Sequence, residues 1–234
     1  MILKILKNRD VKIMSMLSKN SAPKLALRGT LRLQMKDTEA VKYIKSCKSA
    51  FKKALKEGKL QCVNVFTLDK QIFLYYESKV PFEINDYLPE ISNFVEMWPG
   101  QKELRSYVPM TLYYQSTPME TVPDWKEARI GHKPYISISR MKIEKLESYI
   151  FYHYQLQEEK PGDNGRYLAI WGNEEWCILY GREGIDSKYN AEYKGKLDTA
   201  NTPKNWRDTM LPHFYEWNRK GDVYRNGKLI LSIE

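Results

Sequence analysis

The sequence predicts an α+β protein made of two tandem ferredoxin-like units, and three observations support this fold class. Segments with two-residue and with three- to four-residue hydrophobic periodicity follow one another in the order β-α-β-β-α-β. The same order recurs in the second half of the chain. One face of each predicted sheet is rich in aromatic residues, so we expect the two sheets to pack on each other as an intrachain pseudo-dimeric α+β barrel.

The first unit, residues 25–122, shows the whole pattern once. Its opening strand alternates, and its first helix carries apolar residues at three- and four-residue steps. The second and third strands are joined at Asp69 and Lys70, which is the length of a hairpin loop. The predicted elements are strand 25–35, helix 37–58, strands 60–68 and 71–78, helix 86–97 and strand 108–116.

The second unit, residues 134–234, follows a linker at 123–133 and repeats this order. The turn cluster that starts at Pro161 and Gly162 ends its helix, and a two-residue loop again joins a pair of strands. The predicted elements are strand 134–141, helix 142–159, strands 166–172 and 175–183, and a closing strand 211–218.

An internal duplication explains this recurrence. A shift of 106 positions matches identical residues in three elements, including Tyr43 with Tyr149 in the first helix of each unit and Ile72 with Ile178 in a strand. Because one offset holds across several elements, chance matches are a poorer explanation.

The net charge of +9 lies mainly in one terminal segment. Residues 1–28 carry a net charge of +6, which leaves +3 on the other 206 residues. A nucleic-acid-binding surface needs Lys and Arg on the folded body, so we expect no nucleic acid partner. The basic arm, residues 1–24, is interrupted by Lys or Arg too often to be a signal peptide, and we expect it to be poorly ordered or a short helix.

The remaining composition favours a water-soluble cytoplasmic protein. Mean hydropathy is −0.60 and no apolar run reaches the roughly 20 residues of a membrane span, so we expect no membrane partner. The three cysteines form no Cys-x-x-Cys motif, and the three histidines are dispersed. The sequence therefore predicts acid–base chemistry without a metal or an organic cofactor.

Tyr149 and His153 are the strongest candidates for catalysis. They stand four residues apart on a predicted helix, so both lie on one face, and a phenol with an imidazole can exchange protons near neutral pH. An amphipathic helix whose His and Tyr border its apolar face remains an alternative. Candidate binding residues are Trp206, whose indole could stack on a sugar, His213 on the closing strand and Tyr180 on the second hairpin; ordinary burial is the alternative for each.

Each half resembles an L-rhamnose mutarotase unit of the dimeric α+β barrel superfamily. The second half has the Tyr-x-x-x-His of that family at Tyr149 and His153, and a Trp-Arg-Asp-Thr-Met segment that starts at Trp206. The first half keeps Tyr43, but Cys47 occupies the position of the His, so its site is expected to be degenerate.

The resemblance implies that the anomers of a free 6-deoxy sugar, a monosaccharide, are interconverted by ring opening and closure. It implies Tyr149 and His153 as acid and base in either order, and Trp206 as a wall for the sugar. Three alternatives stay open: a sugar-binding or regulatory barrel without catalysis, another barrel activity such as a cofactor-free or haem-using monooxygenase, and an RNA-recognition-like module. The last lacks its characteristic central-strand motif.

Overall fold

The computed structural model describes residues 27–122, 124–185 and 188–234, and the predicted arm at 1–24 lies outside them. This part of the chain forms strands and α-helices in a mixed order. They are β1 (Leu27–Gln34), α1 (Glu39–Ser46), α2 (Lys48–Lys56), β2 (Leu60–Leu68), β3 (Gln71–Ser78), β4 (Val108–Pro109), β5 (Thr111–Gln115), β6 (Pro134–Met141), α3 (Leu146–Glu159), β7 (Ala169–Asn173), β8 (Trp176–Arg182), α4 (Trp206–Met210), β9 (Phe214–Tyr215), β10 (Arg225–Asn226) and β11 (Lys228–Ile233).

The strands form two antiparallel sheets. The first sheet has the order β11-β2-β3-β1-β4, and the second has the order β10-β6-β8-β7-β5, with β9 also paired to β6. Each sheet therefore contains a strand from the other half of the chain, because β11 comes from the second unit and β5 from the first. The predicted α+β fold class is confirmed.

Two bent segments join the edges of the sheets into a barrel. Only Met110 separates β4 in the first sheet from β5 in the second, and only Gly227 separates β10 in the second sheet from β11 in the first. A Cβ at Gly227 would lie 2.4 Å from Cγ1 of Ile136, so only glycine allows this close crossing.

The space between the sheets is a packed aromatic core. Strand residues that face inward alternate with residues that face the helices. At the centre, the rings of Tyr75 and Tyr180 stack at 3.7 Å, one from each unit. The other large side chains buried here include Phe66, Phe73, Trp125, Tyr167 and Trp171.

The helices cover the outer faces of the barrel. Helices α1 and α2 bury a hydrocarbon core against the first sheet, including Ile44, Phe51 and Leu74. Helix α3 covers the second sheet and packs against β5, the strand contributed by the first unit. No helix among the described residues is both long and apolar enough to cross a membrane.

A buried ionic network closes one end of the barrel. The carboxylate of Glu77, which is fully buried, accepts hydrogen bonds from Tyr75 at 2.7 Å, from the indole of Trp125 at 3.1 Å and from Arg129. Arg182 donates to both carboxylate oxygens of Glu234, at 2.7 and 3.0 Å. The linker residues Trp125 and Arg129 are thus held over the barrel end.

Several predicted elements differ from the structure for local reasons. The predicted helix 37–58 is two helices that break at Cys47, which has φ −80° and ψ 7°. The prediction of a helix at 86–97 is wrong: the chain forms only short 3₁₀ turns there, at Ile84–Asp86 and Ile91–Asn93. Pro89 lies inside this segment and cannot donate a helical hydrogen bond.

The predicted closing strand at 211–218 is also wrong. Residues Leu211–His213 form a 3₁₀ turn and only Phe214–Tyr215 pairs as a strand, since Pro212 lacks the N–H that a ladder needs. The strand that completes a sheet is β11 instead. Prediction and structure agree residue for residue for β2, β3 and β6.

Candidate active site

The cluster around His153 lies between helix α3 and the outer face of the second sheet. Tyr149 and His153 lie one helical turn apart on the buried side of α3, and each is only 4% exposed. Their ring centroids are 4.1 Å apart. Two further rings lie beside the imidazole, those of Trp206 at 4.9 Å and Tyr114 at 5.4 Å. The structure therefore brings three of the predicted side chains, Tyr149, His153 and Trp206, into one aromatic cluster.

The hydrogen bonding of His153 fixes its tautomer. Nδ1 lies 2.9 Å from the carbonyl oxygen of Tyr149, and a carbonyl oxygen can only accept, so Nδ1 carries the proton. Burial lowers the pKa of His153 to about 4, against a smaller raising effect from this hydrogen bond and a further lowering from His213. The imidazole is therefore neutral at pH 7, and Nε2, which makes no hydrogen bond to the described residues, has a free lone pair.

The hydroxyl of Tyr149 differs from the imidazole of His153 in that it stays protonated. Its hydroxyl lies 4.0 Å from the thiol sulfur of Cys177 on β8, and burial raises its pKa well above the ordinary value. Burial likewise raises the pKa of Cys177 to about 12. Both groups stay protonated at neutral pH, so Tyr149 is a weak proton donor and His153 is the basic member of the pair.

Glu159 anchors the chain segment that leads to Trp206. Its carboxylate accepts five hydrogen bonds at the end of α3: from the side chains of Gln155 (2.8 Å), Thr199 and Thr202, and from the backbone N–H groups of Asn201 (2.9 Å) and Thr202 (2.8 Å). Burial alone would raise the pKa of this carboxyl, but the hydrogen bonds outweigh it and lower the pKa. The segment continues directly into α4, so Glu159 helps to place the half-buried Trp206 beside His153.

His213 and Tyr180, two of the predicted binding residues, are held in packing and hydrogen-bonding positions. The two ring nitrogens of His213 lie 2.9 Å from Oγ of Ser148 and 3.1 Å from the carbonyl oxygen of Met210, so both are occupied. This arrangement ties α4 to the start of α3. Tyr180 does not join the cluster, because it lies on the opposite face of the second sheet, inside the barrel.

The corresponding pair of the first unit lies near the surface. The hydroxyl of Tyr43 accepts a hydrogen bond from the backbone N–H of Glu90 at 2.8 Å, and its ring stacks on Phe94 at 4.6 Å. Cys47 is half-buried at the break between α1 and α2.

Sequence reasoning missed two residues that contact the cluster and one that helps to position it. Tyr114 comes from a strand of the other unit. Cys177 lies on a strand whose alternating pattern shows that its residues point to two faces, but the sequence does not show which of the two faces the helix. Glu159 is the last residue of the predicted helix, and all of its hydrogen-bond partners except Gln155 lie 40 or more positions further along the chain. Among residues 27–122, 124–185 and 188–234, no three His, Cys, Asp or Glu side chains are grouped as a metal site.

The fold and the cluster define an α+β barrel protein with a buried aromatic cluster around His153 in its second half. No model of a known protein family matches the chain, and no curated protein matches it. Three solved structures resemble it in fold. One from Fusobacterium nucleatum and one from Lactobacillus acidophilus are each described as a "putative monooxygenase", and the third is an anthrone oxidase-like protein.

These likenesses are distant. The Fusobacterium protein has a TM-score of 0.44 and 8% identity, covering 89% of this chain and 94% of its own. The anthrone oxidase-like protein has a TM-score of 0.38 and 8% identity, and the match covers 91% of this chain and 94% of that protein. The Lactobacillus protein has a TM-score of 0.41 and 6% identity, and the match covers 89% of this chain and 95% of that protein.

The resemblance to the L-rhamnose mutarotases is wrong. None of the three matching structures is described as a mutarotase or as an isomerase of rhamnose, and two are described as monooxygenases. The matched residues of the sequence are few, and a Tyr and a His one helical turn apart also serve as packing on a buried helix face.

Proposed function

We propose that this chain is an α+β barrel enzyme of the monooxygenase type, in which His153 takes a proton from an aromatic substrate that then reacts with dioxygen. The class name is the one given to two of the solved structures of similar fold. The argument for it comes from the side chains of this chain, and above all from His153.

The observation that carries the proposal is the state of the His153 imidazole. Its Nδ1 proton is held by the carbonyl oxygen of Tyr149, and its pKa is lowered to about 4, so Nε2 offers a lone pair throughout the neutral pH range. A structural histidine in a core normally has both nitrogens bonded, as His213 has. A base that is desolvated and fixed in orientation needs little reorganisation when it accepts a proton.

The low pKa of His153 restricts the class of substrate. A weakly basic imidazole removes a proton efficiently only from a group that is itself acidic, such as a phenol or a CH₂ group between two aromatic rings or beside a carbonyl. The surrounding rings of Trp206, Tyr114 and Tyr149 favour a flat aromatic molecule. The resulting delocalised anion would lie in apolar surroundings.

The proposed reaction balances without an external reductant. His153 accepts one proton from the CH₂ group, the carbanion transfers electrons to dioxygen, and a C–O bond forms. The second C–H and the O–O bonds then break, so the carbon becomes a carbonyl and the other oxygen atom leaves as water. The CH₂ group supplies four electrons, which equals the number that dioxygen accepts.

Trp206 provides the route for entry. It is the first residue of the five-residue helix α4, it is only half-buried, and it lies against His153. The segment before it is attached to α3 through the carboxylate of Glu159. Displacement of this one indole would open the imidazole to a substrate while the sheet and α3 stay in place.

Oxidation of anthrone to anthraquinone, with oxygen uptake measured in parallel, tests the proposal. We expect wild type to exceed the buffer blank, and His153→Gln to lose about 10²- to 10⁴-fold in rate, as is usual when a general base is removed. His132→Gln is the matched control, because His132 lies outside the cluster and binds the carbonyl of Glu183. A wild-type rate equal to the blank, or an unchanged rate in His153→Gln, would refute the proposal.

A further inference from the structure

A cavity lies at the barrel end, away from His153. It has a volume of about 440 Å³ and opens between the end of α2, the start of β2 and the linker segment 126–131. This volume is within the usual range for small-molecule pockets, roughly 300–1,000 Å³. None of its lining residues belongs to the His153 cluster.

The lining of this cavity carries an excess of positive charge. Lys79 and Lys126 are exposed at its mouth, and neither forms an ion pair with the described residues. Arg129 is buried at its back; Nη1 and Nη2 donate to Glu77 and to the carbonyl of Gln61, whereas Nε has no acceptor among the described residues. The single carboxylate side chain in the lining, that of Glu234, is already bonded twice by Arg182.

The same cavity has an apolar side. Leu55 is half-buried, Leu60 is buried, and Ile130 is 73% exposed although it is a large hydrophobic residue. Ile130 therefore has most of its side chain available to cover a ligand. Apolar surface beside unpaired cations is complementary to a molecule with one charged end and one apolar end.

We propose that this cavity binds an amphipathic organic anion, in which a carboxylate or sulfonate lies near Lys79, Lys126 and Arg129 and an apolar body lies against Leu55, Leu60 and Ile130. The cavity and its ligand are independent of the oxidation proposed for His153. Two positive groups at the mouth attract the anion, and the buried guanidinium supplies a directed donor.

Fluorescence titration of the folded protein with 8-anilinonaphthalene-1-sulfonate tests this site. The probe carries one sulfonate on an aromatic body. Its neutral counterpart, N-phenyl-1-naphthylamine, has nearly the same body without the charge. We expect saturable binding of the sulfonate that weakens with added salt, and weaker binding of the neutral compound.

Charge reversal at the mouth locates the site. The double variant Lys79→Glu with Lys126→Glu should raise the Kd for the sulfonate about tenfold or more, because two attractions become repulsions. Lys70→Glu, a matched change in the β2–β3 hairpin at the other end of the strands, should leave the Kd within about twofold. Ile130→Ser should weaken both probes, whereas Leu104→Ser, another exposed apolar residue, should not.

Each alternative result overturns the proposal. Absence of saturable binding, equal affinity for the two probes, or an equal loss in Lys70→Glu and the double variant would show that no specific anion site exists at this cavity. Circular dichroism of each variant establishes that it is folded. All five substituted positions, Lys70, Lys79, Leu104, Lys126 and Ile130, are exposed, so these changes leave the core intact.

Discussion

The two halves of the chain place an equivalent pair of residues in opposite surroundings. Tyr43 and Cys47 lie at a helix break, half-buried, with the tyrosine hydroxyl bonded to a backbone N–H. Tyr149 and His153, 106 positions later, lie on a continuous helix and are almost fully buried. The same spacing thus gives a surface contact in one unit and a buried imidazole in the other.

The two cores beneath the helices differ in what they contribute to the protein: one contributes only to stability, and the other also holds a group that can transfer protons. The core beneath α1 and α2 is built mainly from aliphatic and aromatic side chains, which is the arrangement that packing alone favours. The core beneath α3 keeps an imidazole whose charged form is strongly disfavoured by burial. A buried imidazole whose pKa is lowered reduces stability in acid, and titratable groups with shifted pKa values cluster at functional sites.

The largest expected effect is the pH dependence that His153 imposes on folding. In the unfolded chain its pKa is about 6.5, and in the folded chain about 4, so the unfolded state binds the proton first as the pH falls. The free energy of unfolding should therefore decrease by about 3 kcal/mol between pH 6.5 and pH 4 because of this group. Urea unfolding of wild type and His153→Leu at several pH values measures the difference.

The first unit provides the control. Cys47→His introduces an imidazole at the equivalent but half-buried position, where we expect a nearly ordinary pKa. This variant should therefore change the pH-dependent loss of unfolding free energy between pH 6.5 and pH 4 by less than about 0.5 kcal/mol. The burial of His213 also lowers its pKa, so a smaller slope should remain in His153→Leu. Identical slopes in wild type and His153→Leu would contradict the buried, neutral state of His153.

A smaller effect is expected from Glu159, which has no counterpart in the first unit. Glu159→Gln keeps the shape of the side chain but removes the charge that five donors surround, so the melting temperature should fall by about 2–4 °C. The amide protons of Asn201 and Thr202 should exchange faster with solvent. Because hydrogen bonding lowers its pKa, the stabilisation by Glu159 is present above the ordinary Glu range and is lost as the pH falls below it.

Glu147→Gln is the matched control for that variant. Glu147 is an exposed carboxylate in the first turn of the same helix. Its replacement should leave the exchange of Asn201 and Thr202 unchanged, and faster exchange in both variants would point to a general loosening of α3.

The smallest perturbation is chemical labelling of thiols, which compares the two cores directly. Cys47 is half-buried, whereas Cys62 and Cys177 are buried and burial raises the pKa of both thiols. We expect Ellman's reagent to label one thiol per native chain and all three in denaturant, and Cys47→Ser to label at none in the native state. Rapid native labelling at Cys177 would show that the core beneath α3 opens.

Local sequence patterns predicted the parts of the fold that local interactions determine. Strands β2 and β3 alternate cleanly and are joined at Asp69, which adopts a positive φ of 49°, so their hairpin was predictable residue for residue. The helix pattern of α3 placed Tyr149 and His153 on one face, as observed. The fold class followed from the order of such elements.

Contacts between distant parts of the chain account for the rest. Strand β11 pairs with β2 more than 160 positions earlier, and no local pattern specifies that partner. Trp125 and Arg129 donate hydrogen bonds to Glu77 only because the linker that carries them crosses the end of the barrel. The role of Glu159 likewise depends on a loop that returns to the end of α3.

The exchange of strands at Met110 and Gly227 limits how such a protein can evolve. Tandem copies usually remain separable modules, which recombination can shuffle, lose or multiply. Here each half contributes its last strand to the sheet of the other half, so deletion of either half would remove a strand from the remaining sheet. Side chains differ between the halves, as at Cys47 and His153, but neither half forms its complete sheet without a strand from the other.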